Sequence, residues 1–159
     1  MEIMQEQKVS IELFSSRYSH DFARLNYEWL EKYFVVEDYD RGILSNPRAT
    51  IIDKGGQILF ARIDETVVGT VALIRRGDGV FELSKMAVTE DYKGMRIGQK
   101  LMYACIDYAG QHNVKRLFLD SNTSLTPAIR LYQKVGFKEI PVPEDSPYDR
   151  CNIRMELFL

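Results

Sequence analysis

Hydrophobic residues recur along this chain with two periods, and each change of period marks a boundary between elements. Val9, Ile11 and Leu13 alternate with polar neighbours, so Lys8 to Phe14 predicts a strand. Phe22, Leu25, Trp29 and Tyr33 then recur at helical spacing and predict a helix over 21–33. The acidic stretch Glu37 to Leu44 reads as a short helix or a turn. Asp53-Lys54-Gly55-Gly56 is a turn signal, and three extended runs follow: Gln57 to Ile63, Thr66 to Ile74 and Val80 to Val88. Asp64-Glu65 and Arg76-Gly77-Asp78-Gly79 separate them, which is the spacing of an antiparallel meander.

The period then changes. Ile97, Leu101, Met102, Cys105, Ile106 and Ala109 predict a helix from about Met95 to His112. Leu117, Phe118 and Leu119 make Arg116 to Asp120 a short buried strand. Pro127 suits the first turn of another helix, with Ala128, Leu131, Tyr132 and Val135 inward and Gly136 as its stop. Phe137 to Ile140 is a strand, Pro141 to Asp149 a Pro-rich acidic loop, and Asn152 to Phe158 a closing strand. The order is that of one α/β domain of the α+β type: a mixed, mostly antiparallel sheet of about seven strands with about four helices. Residues 1–7 read as a loose N-terminal extension to a domain covering 1–159.

The 159 residues suit one domain, and 45 % hydrophobic with 28 % charged residues excludes a disordered chain. Two cysteines, Cys105 and Cys151, are too few for a disulfide framework, and with His20 and His112 they show no metal-ligand spacing, so no metal is expected. A net charge of −2 without clustered Lys and Arg argues against nucleic acid. No apolar run approaches the ~20 residues a membrane span needs. Met1 to Lys8 lacks the basic and apolar regions of a signal peptide, so the expected location is cytoplasmic.

Candidate chemistry centres on Val88 to Leu101, where a strand ends, Gly94 and Gly98 follow, and an amphipathic helix begins. A helix start carries free N–H groups and partial positive charge. Lys93, Arg96 and Lys100 oppose that dipole, and a bound phosphate would relieve the conflict. The other reading is a glycine turn with solvated charges. The pattern is neither a Walker loop nor a dinucleotide fingerprint.

Three stretches resemble the GNAT superfamily of acetyl-CoA-dependent N-acetyltransferases. Glu82-Leu83-Ser84-Lys85-Met86-Ala87-Val88 is similar to its fourth strand, and Tyr92-Lys93-Gly94-Met95-Arg96-Ile97-Gly98 to its pyrophosphate loop. Ala128-Ile129-Arg130-Leu131-Tyr132-Gln133-Lys134-Val135-Gly136-Phe137 is similar to the second motif, in which Leu-Tyr, three residues and Gly-Phe recur. Lys93 stands where Arg or Gln is commoner, Arg96 where a glycine is usual, and Leu125 where many members have Asn, a role left to Asn122 or Thr126. The resemblance implies a GNAT-like domain that transfers an acetyl group from acetyl-CoA to a primary amine by direct attack, without a metal. Pantetheine would lie along Met86, Ala87 and Val88, and pyrophosphate on Lys93, Gly94, Met95, Arg96, Ile97, Gly98 and Gln99.

Tyr132 matches the family's general acid. A phenol at ~10 giving its proton to a thiolate at ~8.5 is uphill by only about 2 kcal/mol. Tyr132 otherwise reads as a core aromatic. Glu82 is the candidate base if burial raises it from ~4.3, and otherwise a solvent-facing strand residue. Cys105 reads as inert core, His112 as a helix C-terminal residue, and His20 as a cap or surface residue near the implied acceptor site.

In this family the acceptor pocket involves the first two helices and the last loop. Here these carry Glu37, Asp38, Asp40, Glu144, Asp145 and Asp149, with Tyr33, Phe34, Tyr39 and Tyr148. An acidic rim would attract a positively charged acceptor, a small molecule or a peptide amine. Solvated loops with packing aromatics are the bland alternative. A homodimer through a sheet edge or the final strand is compatible with the pattern. The competing functional reading is a non-catalytic acyl-CoA-binding or sensing module on the same fold.

Overall fold

The structure, a computed structural model, describes residues 8–92 and 94–159. The predicted extension 1–7 and the phosphate-loop residue Lys93 lie outside the described residues. Seven strands, β1 (Val9–Leu13), β2 (Gln57–Ile63), β3 (Thr66–Gly77), β4 (Val80–Val88), β5 (Arg116–Ser121), β6 (Lys138–Ile140) and β7 (Ile153–Phe158), form one sheet in the order β1-β2-β3-β4-β5-β7-β6. Four α-helices accompany it: α1 (Ser19–Tyr33), α2 (Asp38–Ser45), α3 (Ile97–Gln111) and α4 (Thr126–Val135). The acidic segment after α1 is thus a helix, opened by a capping box between Glu37 and Asp40. A five-residue π-helical turn, Arg48–Ile52, which the hydrophobic pattern does not announce, leads into β2.

The sheet is covered on both faces. α3 and α4 pack Leu101, Met102, Cys105 and Tyr132 against Leu59, Val71, Leu83 and Met155. On the other face, α1 and α2 pack Phe22, Leu25, Leu30 and Leu44 against Ile58, Phe60, Ala72 and Ala87. The close seat of α3 depends on Gly69 in β3, where a Cβ would lie 3.0 Å from Ile97 Cγ2 and 3.1 Å from Leu101 Cδ1. Gly136 stops α4 at φ +107°, and the following amide of Phe137 donates to the Tyr132 carbonyl at 3.0 Å, which fixes the last turn of that helix.

Two irregularities in the middle of the sheet create the site. β4 carries one extra residue opposite Val71 of β3, and Lys85 adopts the left-handed region there, φ +55°. The extra residue breaks the alternation of β4. Leu83 faces α3 and α4, but after the bulge it is Met86 and Val88 that do so, while Ala87 faces α1 and α2. The second irregularity is the junction of β4 with β5. These strands pair in parallel only at Val80–Arg116, Phe81–Leu117 and Glu82–Phe118. Beyond Glu82, β4 stays with β3 and β5 stays with β7, so the sheet opens into a wedge.

Candidate active site

A cavity of about 570 Å³ fills this wedge. Leu83 to Val88 form one wall and Leu119 to Asn122 the other. Tyr132 and Ala128 of α4 reach it from one face of the sheet, and Asn26, Trp29 and Tyr33 of α1 from the other. The cavity therefore passes through the plane of the sheet. Met86, Ala87 and Val88 line it, and past Glu82 the edge of β4 that faces the cavity has no strand partner among the described residues.

The described residues of the glycine turn, Gly94 to Gln99, lie beside the cavity rather than in its wall. Gly94 has φ +90°, and Arg96 takes φ +57° at the N-cap of α3. This left-handed position explains why glycine suits it, and Arg96 holds it at a steric cost. No side chain caps α3, and its first internal bond runs from the amide of Lys100 to the carbonyl of Arg96 at 3.0 Å. The amides of the first turn, around Ile97, Gly98 and Gln99, thus remain open to an anion. A Cβ on Gly98 would stand only 3.8 Å from Met86 Sδ, so this turn adjoins the β4 wall of the cavity.

Tyr132 is buried, its ring edge-on to Phe137 at 6.1 Å, and its hydroxyl has no protein hydrogen-bond partner among the described residues. Burial pushes its phenol up to about 12. Tyr132 is therefore protonated at every physiological pH and can act only as a donor. Glu82 is buried too, on the α1–α2 face, but it does not line the cavity. Its Oε1 accepts both Nε and Nη2 of Arg76, at 2.9 and 2.7 Å, and its Oε2 has no hydrogen-bond partner among the described residues. Burial raises the Glu82 carboxyl and Arg76 opposes the rise.

The largest departure from the sequence expectation concerns the acidic rim. Asp40 is not on a rim: it is fully buried. Its Oδ1 accepts Lys85 Nζ at 2.5 Å and Arg150 Nη2 at 2.8 Å, while its Oδ2 accepts Arg150 Nη1 at 2.8 Å and the amide of Glu37 at 2.9 Å. Glu37 is consumed as well, by Arg150 Nη1 at 2.8 Å. Burial works against the Asp40 carboxylate, but Arg150 and Lys85 outweigh it and hold its pKa at about 2. Lys85 also donates to the hydroxyl of Tyr148 at 2.8 Å. Burial pulls its ammonium down, and Asp40 works against that fall.

This cluster ties the β4 bulge, α2 and the β6–β7 loop into one unit. Lys85, Tyr148 and Arg150 line the cavity, whereas Glu37 and Asp40 stand behind them. Asp38, Glu144, Asp145 and Asp149 are exposed and outside the lining, so of the six acids expected at the rim Glu37 and Asp40 are committed to Arg150 and Lys85 instead. The carboxylate that does line the cavity is Asp120, gripped by Arg154 through both oxygens at 2.6 and 2.8 Å.

Against this geometry stand the comparisons with known proteins. The sequence profile of the acetyltransferase (GNAT) family matches residues 14–137. The chain belongs to the GNAT family. An uncharacterized N-acetyltransferase of Schizosaccharomyces pombe is 30 % identical over 123 residues, covering 74 % of this chain and 75 % of that protein. The probable N-acetyltransferase camello of Xenopus tropicalis is 38 % identical over 101 residues, 62 % of this chain but only 46 % of the frog protein's length. Among solved structures, a GNAT acetyltransferase of Staphylococcus aureus superposes with a TM-score of 0.83 at 23 % identity, covering 94 % of this chain and 98 % of that one. The PaiA N-acetyltransferase of Thermoplasma acidophilum, solved with coenzyme A, does so at 0.72 and 17 % identity, covering 96 % and 99 %.

Within this GNAT fold the remaining expected residues separate cleanly. Cys105 is fully buried beneath α3, and burial raises its thiol. His20 and His112 are exposed and outside the cavity. Leu125 lines the cavity, and Asn122 does so with its side chain committed, donating to the Arg150 carbonyl at 2.7 Å and accepting the Ser124 amide at 2.9 Å. Thr126 is exposed at the start of α4. Sequence reasoning missed Asn26, Lys85, Asp120 and Arg150. Asn26 had a signal, a polar residue inside the apolar stripe of Phe22, Leu25 and Leu30, and so did Lys85, a charge inside the strand run Phe81 to Val88. Among the described residues, no group of three or more His, Cys, Asp or Glu is placed to hold a metal, and no helix is long and apolar enough to cross a membrane.

Proposed function

We propose that this GNAT chain transfers an acetyl group from acetyl-CoA to a primary amine inside the sheet wedge. The observation that carries the reading is Tyr132: a buried phenol with no hydrogen-bond partner among the described residues, facing a cavity walled by the unpaired edge of β4. The open first turn of α3, next to Met86, suits the pyrophosphate, with Gly94, Met95, Arg96, Ile97, Gly98, Gln99 and Lys93 as its holders. Met86, Ala87 and Val88 offer main-chain groups to the pantetheine arm. Bonds to a charged group are worth roughly 1.5–3 kcal/mol each, so a few amides supply a large share of the affinity.

Acetyl-CoA, when bound, supplies a thioester carbon for the amine to attack and a sulfur as leaving group. The protein's residues handle the protons. The new N–C bond forms as the C–S bond breaks, Tyr132 gives its hydroxyl proton to the departing thiolate, and the proton shed by the amine passes to Oε2 of Glu82 through water. With the phenol at about 12 and a thiol near ~8.5, the donation is uphill by about 5 kcal/mol if only the phenol is perturbed. The thiolate in the same cavity is raised by the same desolvation, which narrows the gap.

The test is direct. Acetyl-CoA at 100 times its Kd stabilises the fold by about 2.7 kcal/mol, seen as a thermal shift that grows with ligand concentration. Thiol release in the presence of an amine panel then reports transfer. No shift at millimolar acetyl-CoA overturns the reading. A shift without thiol release from any amine favours the alternative, an acyl-CoA-binding module on the same fold.

A further inference from the structure

Taken together, the charges that line the wedge are not those of a generic amine pocket. Lys85 and Arg150 face the cavity, while the carboxylates that balance them, Asp40 and Glu37, lie behind. Neither cation is exhausted by these partners. An ammonium has three N–H donors, and among the described residues Lys85, its side chain 3 % exposed, donates to Asp40 and Tyr148 only. A guanidinium has five, and among the described residues Arg150 spends three, on Glu37 and Asp40, with none from Nε. Donors on both cations are therefore left for a ligand. Among the described residues the cavity wall contains one carboxylate, Asp120, and one buried carboxamide, Asn26, whose Nδ2 donates to the Phe22 carbonyl at 3.0 Å and whose Oδ1 has no partner. The rest of the α1 side is apolar, with the Trp29 ring 5.5 Å from both Tyr33 and Phe34.

We infer that the acceptor is an amine that itself carries a carboxylate, an amino acid with an apolar side chain, held by its carboxylate on Arg150 and Lys85 and by its amine toward Asp120 and Asn26. A buried cation with unspent donors has lost its water, and a carboxylate restores the missing bonds at the cavity wall. A plain alkylammonium has no acceptor to offer and would leave those donors unfilled. The aromatic wall of Trp29, Tyr33 and Phe34 takes the side chain. This inference deepens the acetyl-transfer reading and rests on it.

The experiment uses the full chain, acetyl-CoA and matched acceptor triplets such as phenylalanine, phenylalaninamide and phenethylamine, with leucine and its two counterparts beside them. Thiol release gives kcat/KM for each. The expected result is a kcat/KM for the free amino acid about ten- to a hundredfold above its amide and its decarboxylated amine, carried mainly by KM, the size of one charge-assisted hydrogen-bonded contact. In Arg150→Gln the acid-to-amide ratio should collapse toward one. Because a ratio does not depend on the folded fraction, it stays readable even if that variant is less stable. Amides or plain amines reacting as well as the acids would overturn the inference and leave acetyl transfer standing. Release from no acceptor of any class would overturn both.

Discussion

Replacing Asp40 with Asn removes one negative charge and almost no volume from the centre of the buried cluster. The side chain is fully buried and accepts bonds from Lys85, from both terminal nitrogens of Arg150 and from the Glu37 amide. In Asp40→Asn, two cations lose their main counter-charge, and the amide nitrogen faces donors with another donor. Breaking a buried ion pair from one side costs about 3–5 kcal/mol. For a chain of this length that is a fall in Tm of roughly 6–20 °C. Acid should mimic part of the change. The carboxyl titrates at about 2 when folded, against its ordinary 3.8, so its contribution is fully present above pH 4 and is lost as pH falls through about 2. That shift corresponds to about 2.4 kcal/mol, less than the substitution, because protonation keeps the acceptor oxygen in place. Urea unfolding at pH 7 measures the first number, and a series from pH 5 down to pH 2 follows the loss of the second. Asp40→Asn should lose stability at pH 7 and show a shallower acid slope between pH 4 and 2. Adding Lys85→Met should return about 1–2 kcal/mol, since the unpaired ammonium is then gone. A variant within 1 kcal/mol of the parent, with the acid slope unchanged, would refute the assignment of Asp40 as the hub of the cluster.

Two further outcomes follow from the same geometry. Tyr132→Phe removes a hydroxyl that no protein group uses, so stability should change by less than about 0.5 kcal/mol and acetyl-CoA affinity little, while kcat falls roughly 10²- to 10⁴-fold. Equal turnover would remove Tyr132 from the chemistry. Arg96→Gly relieves a left-handed residue at the start of α3 and should raise stability by about 0.5–1 kcal/mol, while coenzyme A binding weakens and becomes less salt-dependent. Unchanged stability in urea would mean that Arg96 is not strained.

Much of the fold is written locally. The meander is legible because Gly55-Gly56, Asp64-Glu65 and Asp78-Gly79 punctuate runs of alternating or continuous apolar residues, and the observed β2 and β4 span the residues expected. Pro127 and Gly136 bracket α4 for reasons that need no neighbour. The two glycines and the amphipathic run after Val88 likewise mark the start of α3, because turn chemistry and helical period act over a few residues.

What a strand's alternation cannot carry is a change of parity. One extra residue at Lys85 reverses the sides taken by every later residue of β4, and nothing local distinguishes a bulge from a regular strand. The same holds for Asp40. Its neighbours Asp38 and Arg41 make the segment look solvated, although Ile43 and Leu44, three and four positions on, already place Asp40 on the buried side of α2. Its partners lie 45 and 110 residues away. The sequence by itself determined which segments are strand and helix, that a glycine turn opens α3 and that Tyr132 points inward. Only the tertiary structure decided that β4 and β5 part after Glu82, that Arg76 occupies Glu82, and that the acids of α2 are spent on Lys85 and Arg150. The physical reason is range: propensity and turn geometry are properties of adjacent residues, whereas burial of a charge depends on partners that only the folded chain brings within 3 Å.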